Sequence, residues 1–117
     1  MLIGFSEKQR DFCRQNGYEC DVTQADDIVG YALETQGNLP VNGLRHVPEG
    51  STSGWYIWCG PKYSTDSEFF SPLHAVHLER KSPEIIQLLG LPPGYRFLLA
   101  GEYLDVWYDQ ALLIIDD

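Results

Sequence analysis

The amino-acid sequence predicts an α+β fold, in which a small, mainly antiparallel β-sheet is packed with three or four α-helices. Three observations predict it: an apolar stretch between two glycines at 54–60, a paired apolar pattern over 95–108, and helical spacing of apolar residues elsewhere. A chain of 117 residues, 44% of them hydrophobic, can bury one core, so we expect residues 1–117 to form a single domain.

The stretch between the two glycines predicts the central strand of the sheet. Aromatic and β-branched side chains favour strands, and the glycines bound the segment at both ends. In a strand, Trp55, Ile57 and Cys59 point to one face. Tyr56 and Trp58 then point to the other face. Because both faces are apolar, we expect each side of this strand to be covered, which places it in the interior of the sheet.

Residues 95–100 and 103–108 predict a β-hairpin, with Gly101 first in a two-residue turn. In that register, alternate apolar residues of both strands share one core-facing side. On the other side, Arg96 lies opposite Trp107 and can stack on the indole ring.

Four segments have the capping residues or apolar spacing of helices. They are residues 6–16, 23–36, 73–81 and 82–90. The clearest is the second, where Thr23 can cap the N-terminus and apolar residues recur at i, i+3 and i+4. Ser6 and Ser82 are the predicted caps of the first and last segments. Gly17 is expected to end the first helix in the left-handed conformation.

The remaining segments predict loops. Residues 37–54 are rich in glycine, proline, asparagine and serine, and only 44–47 favours a short strand. After the central strand, Asp66 or Ser67 is placed to cap a short turn. The tail 110–115 is apolar enough to dock, as a last strand or as a turn of helix.

The chain is acidic along its whole length. Its 8 lysines and arginines against 17 aspartates and glutamates give a net charge of −9. Such a protein lacks the cations that replace counterions on a phosphate backbone, which argues against a nucleic-acid partner. The excess suits a basic protein partner, or it serves only solubility.

Location and redox state follow from what the sequence lacks. No apolar run approaches the roughly 18 residues of a membrane span, and residues 1–5 lack the basic lead and long apolar core of a signal peptide. We therefore expect a cytoplasmic protein with no membrane partner. Cys13, Cys20 and Cys59 are odd in number and form no CxxC pair, so free thiols are expected.

An enzyme site and a ligand- or metal-binding site are the alternatives to a simple protein-binding function. His74 and His77 lie one helical turn apart, and with Cys59 beside an aromatic pocket they would suit a small enzyme or a ligand- or metal-binding domain. No third metal ligand has a recognisable spacing, and no phosphate-binding glycine loop occurs in the sequence. We therefore expect no catalytic residue, no metal and no cofactor.

The clustered aromatic residues allow two interpretations: they line a ligand pocket, or they fill the core. The residues concerned are Trp55, Tyr56, Trp58, Trp107 and Tyr108. Because large aromatic side chains contribute most of a core's buried area, filling the core is the expected role.

Four stretches carry a family resemblance. They are Gly54-Trp55-Tyr56-Ile57-Trp58, then Phe69-Phe70-Ser71-Pro72-Leu73-His74 with His77-Leu78, then Leu91-Pro92-Pro93-Gly94-Tyr95-Arg96-Phe97-Leu98, and finally Asp105-Val106-Trp107-Tyr108-Asp109. In this order they resemble the immunity protein 33-like domain of bacterial polymorphic-toxin systems, over about residues 54–113. The resemblance implies a small, acidic, cytoplasmic protein that neutralises a cognate toxin by binding it. It implies no catalytic residues, and residues 1–40 resemble nothing comparable.

A toxin-binding function assigns the contacts to acidic surface, which would steer a basic toxin toward the protein. One candidate patch lies on the predicted second helix and the other on the outer face of the hairpin. The candidates are Asp26, Asp27 and Glu34 in the first patch and Glu102, Asp105, Trp107 and Asp109 in the second. The protein itself is expected to be a monomer or a weak homodimer.

Overall fold

The computed structural model describes residues 4–64, 66 and 68–114. It contains two α-helices, α1 (Phe5–Asn16) and α2 (Leu78–Lys81). The six strands are β1 (Ile28–Tyr31), β2 (Val41–Arg45), β3 (Thr52–Cys59), β4 (Ser71–His74), β5 (Tyr95–Ala100) and β6 (Tyr103–Tyr108). Short 3₁₀ helices cover Leu33–Thr35, Ala75–His77, Pro83–Gly90 and Gln110–Leu113.

The six strands form one mixed sheet in the order β4-β1-β3-β2-β5-β6. Only β1 and β3 run parallel, and the other neighbouring pairs are antiparallel. The α+β class and the mainly antiparallel sheet are therefore confirmed. The strand around Trp55, β3, lies inside the sheet as predicted.

One face of the sheet, called here the first face, is covered by α1, α2 and the 3₁₀ helix Pro83–Gly90. The side chains of Trp55, Ile57 and Phe97 project from the strands into this layer and are fully buried there. Helical residues such as Leu78 and Leu89 pack against them. Each such buried side chain stabilises the fold by about 1.5–3 kcal/mol. Three helical segments therefore cover the sheet, although the longest of those after α1 is 3₁₀ rather than α.

A buried polar network ties this layer to the sheet. The carbonyl oxygen of Leu89 accepts hydrogen bonds from the Trp55 indole N–H at 2.9 Å and from the Thr23 hydroxyl at 2.7 Å. The side chain of Gln9 makes two hydrogen bonds to the backbone of Thr23, at 2.8 and 2.9 Å. Through these bonds α1, the segment before β1 and the strand β3 are fixed to one another, and no donor among them is buried without a partner.

The predicted hairpin is confirmed in position and register. Strands β5 and β6 pair Arg96 with Trp107 and Phe97 with Val106, and Gly101 begins the turn with a φ of 60°. The guanidinium of Arg96 lies 5.6 Å from the centroid of the Trp107 ring, as the cross-strand pairing predicted.

The predicted helix over 23–36 is wrong. Residues 28–31 form β1, which lies between β4 and β3, and only Leu33–Thr35 is helical. The i, i+3, i+4 pattern was carried by Ile28 and Val29, which also favour strands, and Gly30 would have weakened a helix. Thr23 caps no helix, because its hydroxyl and its N–H are used by Leu89 and Gln9.

Three other boundaries differ from the prediction. Residues 73–81 begin as strand β4 and become helical only at Ala75, because β4 pairs with β1. The strand predicted at 44–47 lies at Val41–Arg45. The helix expected to begin at Ser6 begins at Phe5 without a side-chain cap, and it ends at Gly17, whose φ is 77°, as predicted.

The loop and tail predictions are partly confirmed. The backbone oxygen and carboxylate of Asp66 accept hydrogen bonds from the N–H groups of Phe69 and Glu68, so Asp66 caps the turn. The alternative cap, Ser67, lies outside the described residues. The tail docks as the 3₁₀ helix Gln110–Leu113, with Leu112 buried, and Ile115 lies outside the described residues.

Candidate functional site

The opposite side of the sheet, called here the second face, is only partly covered. Two short segments lie on it. The first is formed by residues 61–64, 66 and 68–70, called here the 61–70 segment, and the second is the 3₁₀ helix Gln110–Leu113. Phe70 from the first packs edge-on against Trp58 at 6.2 Å and against Tyr56 at 5.2 Å, measured between ring centroids. Leu112 from the second packs in the same cluster as Trp58. Because these two segments are short, residues on this face such as Tyr56 and Trp107 remain partly exposed to solvent.

An open cleft of about 550 Å³ lies between the 61–70 segment and strands β1 and β3. Tyr56 and Gly30 form its floor, and Tyr63, Asp66 and Phe70 form its wall. A Cβ at Gly30 would lie 2.7 Å from a ring carbon of Tyr56, so a glycine is needed for the tyrosine to lie flat on β1. The aromatic ring of Tyr56 is 38% exposed at this cleft, which makes it available to a bound group.

The imidazole of His46 joins the cleft to the C-terminal segment. Its ring packs edge-on against Tyr56, with 5.5 Å between centroids, and Nδ1 lies 3.1 Å from the carbonyl oxygen of Leu112. His46 therefore fixes the position of the segment that separates the cleft from the hairpin part of the second face.

The hairpin patch is brought together on the second face beyond that segment. Glu102 and Asp105 are exposed, and Trp107 is 38% exposed beneath Arg96. Asp109 is different, because it forms an ion pair with Arg96 at 3.1 Å and accepts a hydrogen bond from the N–H of Ala111. Asp109 thus positions Arg96 and the last 3₁₀ helix, while Glu102 and Asp105 are exposed and Trp107 is partly covered by Arg96.

The other candidate patch is not one surface. Asp26 and Asp27 lie in the turn before β1, and the carboxylate of Asp27 accepts a hydrogen bond from the N–H of Gln24. Glu34 is exposed in the 3₁₀ helix after β1, at the other end of that strand. The helix that was expected to align these three carboxylates does not exist, so they cannot act as a single helical face.

Most of the positive charges lie away from the second face. Of the eight lysines and arginines, Arg45 is buried and Arg96 is paired with Asp109. Five of the others lie on α1 or α2, in the layer over the first face, and Lys62 lies in the loop after β3. These five are Lys8, Arg10, Arg14, Arg80 and Lys81. The cleft and the hairpin therefore present carboxylates with little to neutralise them.

The residues proposed for catalysis or metal binding do not converge. His74 and His77 are exposed near β4, with 6.0 Å between their ring centroids. Cys59 is buried in the first-face core, whereas His74 pairs with Ile28 on a register that points to the second face. Within residues 4–64, 66 and 68–114, no three histidine, cysteine or acidic side chains are grouped to hold a metal ion.

The groups with clearly shifted pKa values lie under the first face. Burial raises the pKa of the Cys13 thiol to about 12, with a further contribution from neighbouring Cys20. Burial also raises the pKa of the Tyr31 phenol, beside Cys59. Burial lowers the pKa of Arg45, and the nearby negative charges of Asp21 and Asp27 oppose that effect. All three side chains are buried under the first face and do not line the cleft, and the Tyr31 hydroxyl has no hydrogen-bond partner among the described residues.

Several cleft residues were not predicted from the sequence. Tyr63 and Asp66 come from a segment that was interpreted as loop and His46 from the short strand predicted at 44–47, and only the fold brings them to Tyr56. The prediction that aromatic residues fill the core is confirmed for Trp55 and Trp58. It is wrong for Tyr56, which lines the cleft, and for Trp107 and Tyr108, which are exposed. The sequence did contain one indication of the cleft. Strand β3 is apolar on both faces, which implied that other residues pack on its second face.

A search against protein-family models identifies the chain. The model of the Imm33-like domain matches residues 8–109. The chain belongs to this family. The match agrees with the resemblance seen over 54–113 and extends it toward the N-terminus as far as residue 8, which includes β1 and most of α1. No curated protein and no solved structure matches the chain. Among the residues that the structure describes, no helix has the length and apolarity to cross a membrane.

Proposed function

We propose that this Imm33-like domain is an immunity protein that binds a cognate toxin and neutralises it by occupying the toxin's surface, without chemistry of its own. Its membership of an immunity-protein family supports the general role. The uneven distribution of charge between the two faces of the sheet supports the assignment to a particular surface. The second face holds exposed carboxylates and aromatic rings, while five of the eight basic residues lie on the opposite layer.

The second face has the composition of a binding surface for a basic protein. Glu102 and Asp105 would attract lysine and arginine side chains and raise the association rate. Trp107 and Tyr56, each 38% exposed, supply aromatic area of the kind that dominates binding energy at interfaces. Cationic side chains also bind to the faces of such rings. We therefore assign the toxin contact to the second face, and we expect the bound toxin to be basic there.

The assignment is tested by charge reversal with a matched control. The test protein carries Glu102→Lys and Asp105→Lys on the second face, and the control carries Glu7→Lys and Glu79→Lys on α1 and α2. Both pairs change the net charge by the same amount at exposed positions. The partner is the cognate toxin, which is sought first in the neighbouring reading frame. Binding is measured by calorimetry, with protection of cells that express the toxin as a second readout.

We expect the second-face variant to lose at least about tenfold in affinity, which corresponds to 1.4 kcal/mol. The control should bind as the unmodified protein does. A third variant, Asp26→Lys with Glu34→Lys, tests the remaining candidate carboxylates. Equal losses in the test and control proteins would show that only net charge matters, and the surface assignment would then be wrong.

Stoichiometry separates binding from catalysis. A protein that neutralises by occupancy protects fully only when it is present at one copy for each toxin molecule. An enzyme that modified the toxin would protect at a small fraction of that ratio. Titration of the immunity protein against a fixed amount of toxin should therefore give an end point near 1:1, and complete protection far below that ratio would refute a non-catalytic role.

A further inference from the structure

The two edges of the sheet differ in how well they are protected. The edge strand β4 has only four residues, and one of them, Pro72, lacks a backbone N–H. The other edge strand, β6, has six residues and contains no proline, lysine or arginine. It pairs with β5 in unbroken register, with no bulge. Short strands, proline, lysine and bulges are the devices that normally keep an edge from pairing with another chain, and β6 has none of them.

The hydrogen-bonding pattern identifies the backbone groups that β6 leaves open. In an antiparallel pair, residues alternate between those that bond to the neighbour and those that point away. The N–H of Asp109 donates to the carbonyl of Gly94 at 2.6 Å, so the odd-numbered residues of β6 bond to β5. The N–H of His46, just after β2, donates to the carbonyl of Gly54 in β3. When the alternation of bonded residues is followed from this bond across β2 and β5, it gives the same assignment for β6. The N–H and C=O groups of Leu104, Val106 and Tyr108 therefore point out from the sheet.

The side chains along this edge define what would pair with it. Tyr103, Asp105 and Trp107 point to the second face, and the first two are well exposed. The cation nearest to them, Arg96, is held by Asp109. On the first face, Leu104 and Val106 pack against the core and would be extended by further apolar residues. A complementary strand thus alternates basic side chains, which lie beside Asp105 and the aromatic rings, with β-branched ones.

A second copy of this chain fits the edge poorly. Each copy carries a net charge of −9 and presents Glu102 and Asp105 at the same strand, so pairing two copies would bring like charges together. Charge complementarity instead selects a basic strand.

We propose that the toxin supplies this strand: a basic, β-forming segment adds to β6 as a seventh strand and continues the sheet. The inference rests on the proposed function and makes it specific. Main-chain hydrogen bonds to Leu104, Val106 and Tyr108 supply affinity, and the alternating side chains supply selectivity, as in other cases of strand addition.

The first test measures backbone exchange and needs no substitution. Amide hydrogen exchange is followed residue by residue, with and without a seven-residue peptide of alternating lysine and valine, and then with the cognate toxin. On binding, the amides of Leu104, Val106 and Tyr108 should slow by at least about tenfold, because each gains a partner. Those of Asp105 and Trp107, already bonded to β5, should change less. A peptide with glutamate in place of lysine is the control and should give no protection.

The second test removes one outward donor. Val106→Pro deletes an N–H that faces the open edge, a position where a proline is tolerated in a sheet. Val106→Ala is the control, because it shortens the same side chain and keeps the N–H. We expect the proline variant to bind the peptide and the toxin at least about tenfold more weakly than the alanine variant, at equal thermal stability. Should the proline variant not fold, the exchange measurement on the unmodified protein decides the question, because it needs no substitution.

The outcomes separate this inference from the proposed function. Toxin binding with unchanged exchange at Leu104, Val106 and Tyr108 refutes strand addition and leaves the immunity function standing. Peptide binding at these amides without any toxin binding or protection refutes the immunity function and keeps the open edge as a basic-strand site. Binding of neither peptide nor toxin refutes both.

Discussion

Arg45 shows how a single buried side chain can hold separate parts of the fold together. It is 2% exposed, and its guanidinium donates to the carbonyl oxygens of Ser53 at 2.9 Å, Asp21 at 2.7 Å and Leu91 at 2.8 Å. It also lies 5.6 Å from the centroid of the Trp55 ring. One residue of β2 thus donates hydrogen bonds to three separate chain segments. Each acceptor lies in a loop or near the end of an element.

We therefore predict that Arg45→Met destabilises the protein by about 2–5 kcal/mol, because the carbonyl groups it leaves behind are buried without donors. Urea denaturation measures the loss. Arg96→Met is the matched control, since Arg96 lies at the same distance from a tryptophan ring but at a partly exposed ion pair worth about 1 kcal/mol or less. Similar losses in the two variants would contradict the role given to Arg45.

Burial of Cys13 makes the stability of the protein depend on pH in the alkaline range. Burial raises the pKa of its thiol in the folded protein to about 12, from an ordinary value of 9.0. Between these values the unfolded chain releases the proton and the folded protein keeps it, so the stabilisation is complete below pH 9 and is lost as pH rises toward 12. The pKa of Tyr31 is shifted in the same direction by burial.

We predict that the free energy of unfolding falls from pH 9 to pH 11, by at most about 1.4 kcal/mol per pH unit for each group. Cys13→Ala should show a shallower fall, with the contribution of Tyr31 remaining. Denaturation curves at pH 8, 9, 10 and 11 measure both slopes. Identical slopes in the two proteins would show that Cys13 does not titrate as described.

At the scale of elements, β2 depends on a glycine that lets two strands pack closely. Gly43 in β2 pairs with Phe97 in β5, and a Cβ at this position would overlap the Phe97 ring. Because Phe97 is fully buried, the ring has little room to move.

Gly43→Ala should therefore cost about 1–3 kcal/mol through overpacking. Gly4→Ala adds the same methyl group where nothing lies within 4 Å and should change the stability by about 0.5 kcal/mol or less. Thermal unfolding of both variants decides the matter: no difference between them would mean that β2 and β5 can separate at low cost.

The elements also show what the sequence can predict. The hairpin β5–β6 was predicted to the residue, because its alternation and its turn are local and agree with each other. The segment 23–36 was not, because Ile28 and Val29 satisfy both a helical and a strand pattern, and only pairing with β3 and β4 decides between them. The strand β2 was predicted only in part, at 44–47, because Asn42 and Gly43 do not favour strands and the strand character of Val41–Arg45 comes from pairing with β3 and β5.

The candidate site likewise contains residues whose positions could be predicted from the sequence and residues whose positions could not. The outward-facing Asp105 and Trp107 were predicted because they belong to the locally determined hairpin. The cleft around Tyr56 was not, because Gly30, Tyr63 and His46 come from distant parts of the chain. The common helical face expected for Asp26, Asp27 and Glu34 was wrong, because residues 28–31 form β1. The position of each candidate residue was therefore predicted only as well as the element that carries it.

At the scale of the whole molecule, the net charge of −9 acts through its distribution. The layer over the first face mixes both signs, since Lys8, Arg10 and Arg14 share α1 with Glu7 and Asp11. On the second face the carboxylates outnumber the basic residues, Lys62 and Arg96. A basic partner approaching from any direction is therefore attracted by the net charge, but it is oriented by the field of the second face.

This predicts how salt affects binding. The association rate constant with the toxin should fall as ionic strength rises from 0.01 to 0.15 M, because the screening length shortens from about 30 to about 8 Å. The dissociation rate constant should change much less. In the variant with Glu102→Lys and Asp105→Lys the slope of association rate against ionic strength should flatten, whereas the control with Glu7→Lys and Glu79→Lys should keep most of it. Stopped-flow measurement of the three proteins decides between orientation by the second face and attraction by net charge alone, since the latter requires both variants to flatten equally.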